Sequence, residues 1–288
     1  MSGPRPSRRP GSRFAAASGP TRRGAPPRAA AGRPRGDRSD GLGGEQVEGR
    51  HAVLELLRAQ RRPVQRVLLA DAQDPADILD EIEREARRQH VPVQVVSMAR
   101  LDREARTEGH QGVMAIARRI PTVTLDELLE VDNPFLLVGD GVTDPRNLGA
   151  MLRSVEGAGV TGVVLPRHRA SRISPTVTKT AAGAIEYLTF SDVGGIPSAI
   201  DQMNRAGILT VGLAGESTAS LYDLDLRDTP MALVVGGEEK GLSSLVRKRC
   251  AAVVAIPQRG HISSLNAGVA VSIAAFEVAR QRALPPRG

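Results

Sequence analysis

Phe135-Leu136-Leu137-Val138-Gly139-Asp140-Gly141-Val142-Thr143-Asp144-Pro145-Arg146-Asn147-Leu148-Gly149 opens with an apolar run, turns on glycines and enters an apolar periodic segment. Phe135–Val138 has the length of a short buried strand, and Leu148–Gly157 reads as a helix. The same alternation recurs downstream. Gly162–Leu165, Ile208–Leu213, Ala232–Val235 and Val253–Ile256 are further apolar runs, with helical segments at Ser198–Arg205 and Ser243–Lys248. Five short buried strands separated by helices predict an α/β domain with a parallel sheet covered on both faces. There is no internal repeat of fixed period.

The turns after these strands carry the chemistry. Leu213 leads into Ala214-Gly215-Glu216, Val235 into Gly236-Gly237-Glu238-Glu239-Lys240-Gly241, and Ile256 into Pro257-Gln258-Arg259-Gly260. Open α/β sheets bind ligands at the carboxyl ends of their strands, and glycine there lets the backbone approach a ligand closely. One such glycine commonly just ends a strand; several together predict a pocket. Other signatures are missing: no G-x-G-x-x-G comes after the first strand, and neither a P-loop nor a G-x-S-x-G elbow occurs. The five histidines show no metal spacing. Rossmann dehydrogenase, NTPase and hydrolase chemistry are therefore poorly supported, and no metal is expected.

Upstream, a helix around Val53–Leu57, a strand Val64–Ala70, a charged amphipathic helix from Ile78 to about Gln89, and strands at Val91–Ser97 and Gly112–Ala117 make a compact α/β module. The expected divisions are a tail at 1–44, this module at 45–118, a linker at 119–133 and a second domain at 134–288. The tail holds ten Arg and no Lys against Asp37 and Asp40, a charge of +8, so the rest of the +7 chain is −1. Rich in Gly, Pro, Ala and Ser, the tail buries too little apolar surface to offset its ordering entropy and is expected to be disordered. It reads either as an arm on RNA phosphates or as a solvating extension; its seven prolines argue against an amphipathic transit peptide. A single Cys250 excludes a disulfide scaffold or zinc ribbon, and no run reaches membrane-spanning length. These features predict a soluble, cytoplasmic protein with no membrane partner.

Three blocks resemble the SpoU family of RNA ribose methyltransferases, within the SPOUT superfamily. Asp144-Pro145-Arg146-Asn147-Leu148-Gly149-Ala150-Met151-Leu152-Arg153-Ser154 looks like its first motif and Val235 to Ser243 like its second. Ile256-Pro257 with Gly260 and Ser263-Ser264-Leu265-Asn266-Ala267 resembles the third. Gly49-Arg50-His51-Ala52-Val53 and His110-Gln111-Gly112-Val113 are similar to the N-terminal substrate-binding domain of the 23S rRNA guanosine-2′-O-methyltransferase subgroup. The resemblance spans about residues 47–284.

It implies S-adenosylmethionine as cofactor, a ribose 2′-hydroxyl of RNA as acceptor, a C-terminal trefoil knot and a homodimer. A large-subunit rRNA guanosine is the implied target. The alternatives are a tRNA ribose, or a catalytically silent RNA-binding assembly factor. Carried over by position, Gly236, Ile256 and Leu265 contact the cofactor, with Leu213 and Gly215 on the adenosine side. Leu265, Val269, Ile273 and Phe276 also read as a core stripe of the last helix. The implied catalytic set is Asn147, Arg153, Glu238, Ser264 and Asn266. A guanidinium holds its proton too tightly to serve as a base, so Arg153 is expected to clamp a phosphate and stabilise charge. Arg50 and His110, with Arg167, Arg169, Arg172 and Lys179, are candidate RNA contacts; the last four also read as a solvated basic loop, and His110 as a structural histidine. Gln258-Arg259-Gly260-His261 and Ala267-Gly268 depart from the commoner family residues, so local substrate contacts are expected to differ. Cys250 is expected to be a buried thiol.

Overall fold

The computed structural model describes residues 42–71, 74–168, 172–261 and 264–284. The tail expected over 1–44 lies outside them up to residue 41, as does Arg169. Among the described residues the chain forms two sheets.

The first sheet contains β1 (Gln46–Glu48), β2 (Val64–Ala70), β3 (Val93–Val96) and β4 (Val113–Ala117), in the order β1-β4-β2-β3. β4 runs antiparallel to both neighbours, and β3 is parallel to β2. Alternation sorts the side chains: Val67, Leu69, Val113 and Ala115 share a core with α1 (Arg50–Ala59) and α2 (Asp77–Arg88). Leu68, Ala70 and Met114 face the other way onto Leu101 of α3 (Met98–Glu104). That helix had no sequence signal, because Leu101 is its one fully buried side chain.

The second sheet is wholly parallel. It holds β5 (Phe135–Asp140), β6 (Gly162–Pro166), β7 (Phe190–Val193), β8 (Leu209–Leu213), β9 (Met231–Gly236) and β10 (Ala252–Val254), in the order β10-β8-β9-β5-β6-β7. The five expected strands are present. The sixth, β7, escaped notice because only Phe190 and Ser191 of its four residues are buried. Leu136, Val138, Val164, Ala232 and Val234 pack against α4 (Leu125–Leu129), α7 (Ile196–Arg205) and α8 (Ser244–Arg249). Phe135, Leu137, Val163, Leu165 and Leu233 pack against α5 (Pro145–Gly157), α6 (Pro175–Thr180) and α9 (Ala267–Arg282) on the other face. Each of these large apolar side chains contributes about 1.5–3 kcal/mol on burial.

Three expectations change. Leu42 is buried and Gly43 pairs with Ile173, so residues 42–44 belong to the folded body rather than to the tail. Residues 119–133, expected as a linker carrying a helix at Leu125–Leu129, do carry that helix but are packed down: Thr122 pairs with Phe190, and Leu125 and Leu128 of α4 are buried in the second core. A capping box between Thr124 and Glu127 starts that helix. The stripe Leu265, Val269, Ile273 and Phe276 is not the core face of α9. Val271, Ala274, Ala275 and Val278 are buried instead, while Val269 and Phe276 are 47% and 52% exposed. Ala267 to Val278 is apolar nearly all round, so periodicity alone could not choose the inner face.

The chain order places the site. From β5 the chain steps outward to β6 and β7, then returns on the opposite side through β8 and β9. The direction therefore reverses between β5 and β9, and a crevice at the carboxyl ends of those two strands is where such sheets hold ligands.

Candidate active site

At the end of β5, the side chain of Asp144 accepts the Arg146 N–H at 2.7 Å and caps α5, with Pro145 in its first turn. Asn147 thereby projects from the start of the helix. At the end of β9 the backbone doubles back. Gly237 N–H donates to Asp140 O at 3.1 Å, Gly241 N–H to Gly237 O at 2.8 Å, and Ser243 N–H to Asp140 Oδ2 at 2.8 Å. A Cβ on Gly236 would lie 2.0 Å from the carbonyl carbon and oxygen of Gly241, so only glycine fits this crossing. The loop presents Glu238 towards α5.

The third element is Asn266, the N-cap of α9. Its Oδ1 accepts from Gly268 N–H at 2.9 Å and Val269 N–H at 3.3 Å. This fixes which end of the amide is oxygen, so Nδ2 is the end that donates to Asn147 Oδ1, at 3.0 Å. Asn147 Nδ2 in turn donates to Glu238 Oε1 at 2.9 Å. A directed hydrogen-bond chain thus runs from the last helix through Asn266 and Asn147 to Glu238. It leaves Oε2 of Glu238 without a partner among the described residues.

Beside it lies a cavity of about 520 Å³, within the size range of small-molecule sites. Leu213, Val235, Leu242, Val254, Ile256 and Leu265 give it apolar walls, Gly215 and Gly236 bring backbone to its edge, and Glu238, Ser264 and Asn266 add polar groups. A second cavity of about 630 Å³, lined by Asp140, Thr143, Asp144, Glu239 and Ser243, shares Glu238 and Lys240 with the first. Glu238 stands at their junction.

All five residues expected at the cofactor line the first cavity, as do Glu238, Ser264 and Asn266 of the catalytic set. Asn147 joins through its hydrogen bonds. Arg153 does not: it lies on the exposed side of α5 and makes no hydrogen bond or ion pair among the described residues. Glu216 and Gln258 also line the cavity and were missed. Glu216 lies just past the end of β8, at the carboxyl edge of the sheet where ligands bind, a positional signal that was available. A hydrogen bond from its own N–H, together with Arg247, holds its carboxyl below the usual range despite desolvation.

The RNA candidates separate. His110 is corrected: it is buried, its Nδ1 accepts Gly112 N–H at 3.1 Å and its Nε2 meets Asp102 Oδ1 at 2.9 Å, so both nitrogens are used internally. Arg50 donates to the Gln111 carbonyl at 3.1 Å and borders an open hollow with Asp74, Met98 and Gln111. Arg167 pairs with Asp192 at 3.0 Å, and Arg172 is exposed. Lys179 donates to the Glu108 carbonyl, bridging the two sheets' domains. Cys250 is half-buried beneath Gly212, and desolvation with the nearby Asp140 pushes its thiol up to about 11. Among the described residues no group of three or more His, Cys, Asp or Glu is placed to hold a metal ion. Nor is any described helix long and apolar enough to cross a membrane.

Comparison with known proteins divides the chain into the same two parts. The model of the SpoU rRNA methylase family matches residues 134–276, and that for RNA 2′-O ribose methyltransferase substrate binding matches 46–123. The 23S rRNA (guanosine-2′-O-)-methyltransferase RlmB of Shewanella oneidensis is 39% identical over 241 residues, covering 82% of this chain and 97% of its own. The RlmB of Pseudomonas aeruginosa is 39% identical over 248 residues, covering 83% and 97%. Among solved structures, the SpoU methyltransferase AviRb from Streptomyces viridochromogenes in complex with AdoMet superposes with a TM-score of 0.68 at 25% identity, over 82% of this chain and 90% of its own. An RNA 2′-O ribose methyltransferase does so with a TM-score of 0.69 at 26% identity, over 83% and 89%.

Proposed function

The chain belongs to the SpoU rRNA methylase family, and from that premise we propose that it methylates the ribose 2′-hydroxyl of a guanosine in 23S rRNA, using S-adenosylmethionine. The observation that carries the reading is the convergence of Glu238, Asn147 and Asn266, from three separate motifs, beside one cavity of cofactor size. The cavity suits this cofactor: its apolar walls match an adenine ring, and Glu216, Ser264 and Asn266 offer partners for hydroxyl, amino and carboxylate groups. When bound, S-adenosylmethionine supplies an electrophilic methyl group.

The protein's own residues must orient the acceptor and manage its proton. Oε2 of Glu238, left open by Asn147, accepts the hydrogen bond of the 2′-hydroxyl and takes charge of its proton as the oxygen is alkylated. Asn147 and Asn266 hold that carboxylate in one orientation, preorganised before substrate arrives. Ser264 adds a hydroxyl beside the reacting centre. Arg153 grips the neighbouring phosphate.

Two features of the wider family belong to this reading. The trefoil knot rests on membership of the SpoU family. The homodimer is supported by the outer face of α9. Gly157 of α5 lies beside Phe276, and Gly268 beside Ala150, so Arg153 borders an apolar surface with Val269 and Phe276 at its centre. A partner covering that surface brings Arg153 to a shared site. Arg167 and Arg172 are the candidate RNA contacts that are exposed, with Arg50 half-buried at the rim of its hollow, and a cytoplasmic setting accords with the rRNA substrate.

The test is incubation with methyl-labelled S-adenosylmethionine and separate rRNA and tRNA fragments. Label in rRNA alone is expected. Label in tRNA alone would favour the tRNA alternative, and cofactor binding without transfer to either would favour a silent assembly factor.

A further inference from the structure

Arg62, between α1 and β2, is buried against Glu186, in a short helical turn just after α6; both side chains are 2% exposed. The pairing is bidentate, Nε to Oε2 at 2.9 Å and Nη2 to Oε1 at 2.6 Å. Nη1 donates to the carbonyls of Gly44 at 2.6 Å and Arg118 at 2.5 Å. Gly44 is where the chain enters the four-stranded domain and Arg118 is where it leaves. One guanidinium therefore joins the entry strand, the exit strand and the catalytic domain at a single point.

We infer that Arg62 and Glu186 are a positioning pair that sets the RNA-binding domain in one orientation against the catalytic sheet. The inference rests on the functional reading above, since it assigns the pair its purpose in methylation. Stability alone does not account for it, because apolar residues of similar size commonly replace a buried ion pair without loss. What apolar contacts do not supply is a unique register. A planar fork with four N–H groups committed to three separate segments has one satisfying geometry. The surroundings reinforce it: Tyr187 Oη donates to Glu55 Oε2 at 2.6 Å, and Arg61 Nη1 to Leu188 O at 3.3 Å. Gly183, at φ 92°, lets α1 come so near that a Cβ would sit 2.4 Å from that of Glu55. Neither Arg62 nor Glu186 lines the catalytic cavity. An RNA held by one domain must present a ribose at Glu238 on the other, so an error in orientation becomes an error in reacting geometry.

The experiment compares the parent with Arg62→Lys and with the apolar double variant Arg62→Met/Glu186→Leu. Spin labels at Arg84→Cys on α2 and Arg205→Cys on α7, in a Cys250→Ser background, report the distance between domains. A narrow distribution is expected for the parent and broad ones for both variants. S-adenosylmethionine affinity should not change, while kcat/KM on an rRNA fragment should fall by about 100-fold. The lysine variant keeps the charge but not the fork, so it should behave like the double variant. A narrow distribution in the double variant, or a broad one with unchanged kcat/KM, would overturn the inference. If the parent transfers no methyl group to any RNA, the functional reading falls, and a narrow-to-broad change still supports the pair as the element that fixes the domains.

Discussion

Asn147 and Asn266 lie 119 residues apart in the chain, yet their side-chain amides meet at 3.0 Å. Because Asn266 Oδ1 is committed to the first N–H groups of α9, the direction of that bond is set by the helix itself. A helix cap thus dictates how the Glu238 carboxylate is held, which couples folding of the last helix to the proposed chemistry.

Asn266→Asp separates those two roles. The aspartate still caps α9 but has no N–H to give Asn147. Methyl transfer should fall about 100-fold, with melting temperature unchanged. Asn266→Ala loses both, and should also lower stability by about 1 kcal/mol. Thermal melts and single-turnover kinetics on the two variants check this.

Gly236 and Gly241 face each other but should respond differently to alanine. A Cβ at Gly236 collides with backbone, so Gly236→Ala should abolish cofactor binding and depress folding yield. Gly241 has open space around it and a φ of 60°, so Gly241→Ala should cost about 1–2 kcal/mol of backbone strain and leave a folded protein. Calorimetric titration of S-adenosylmethionine and denaturant melts distinguish the two.

The outer face of α9 should govern assembly. Val269→Asp and Phe276→Asp place charge on side chains that are half exposed in a single chain. A dimer by light scattering for the parent and monomers for both variants, with unchanged circular dichroism, is the expected outcome.

Alkaline pH should titrate two groups whose ionisation the fold suppresses. Desolvation, then Asp140, raises the Cys250 thiol from 9.0 to about 11. Desolvation, then the hydrogen bond to Glu55, raises the Tyr187 phenol from 10.0 to about 12. Both groups favour the neutral form when folded, so their contribution is complete below the unfolded values and is lost as pH rises through the folded ones. Stability should be flat to about pH 9 and then decline. Alkylation of Cys250 by iodoacetamide at pH 8 should be much slower than that of an exposed thiol.

The parallel sheet was legible because its strands are short unbroken apolar runs, and the pocket because glycine turns come directly after them. Asn147, Glu238 and Asn266 were legible through motifs. Their mutual bonding was not, since nothing local links residues over 90 or more positions. The inner face of α9 was hidden by apolar residues on every side, and β7 by its two half-exposed residues. His110 read both as an RNA contact and as a structural histidine, and the sequence could not choose because Asp102, its partner, lies on a helix without periodic signal. Arg62 and Glu186 gave no sign at all: 124 residues separate them, and each alone resembles an ordinary surface charge.

The most direct measurement is the identity of the methylated nucleoside. A 23S rRNA transcript is incubated with the purified protein and S-adenosylmethionine, digested completely to nucleosides and analysed by mass spectrometry. The account requires 2′-O-methylguanosine, formed by the parent and lost in Asn147→Ala. Methylation on a base, or equal yields of 2′-O-methylguanosine from the parent and Asn147→Ala, would contradict it.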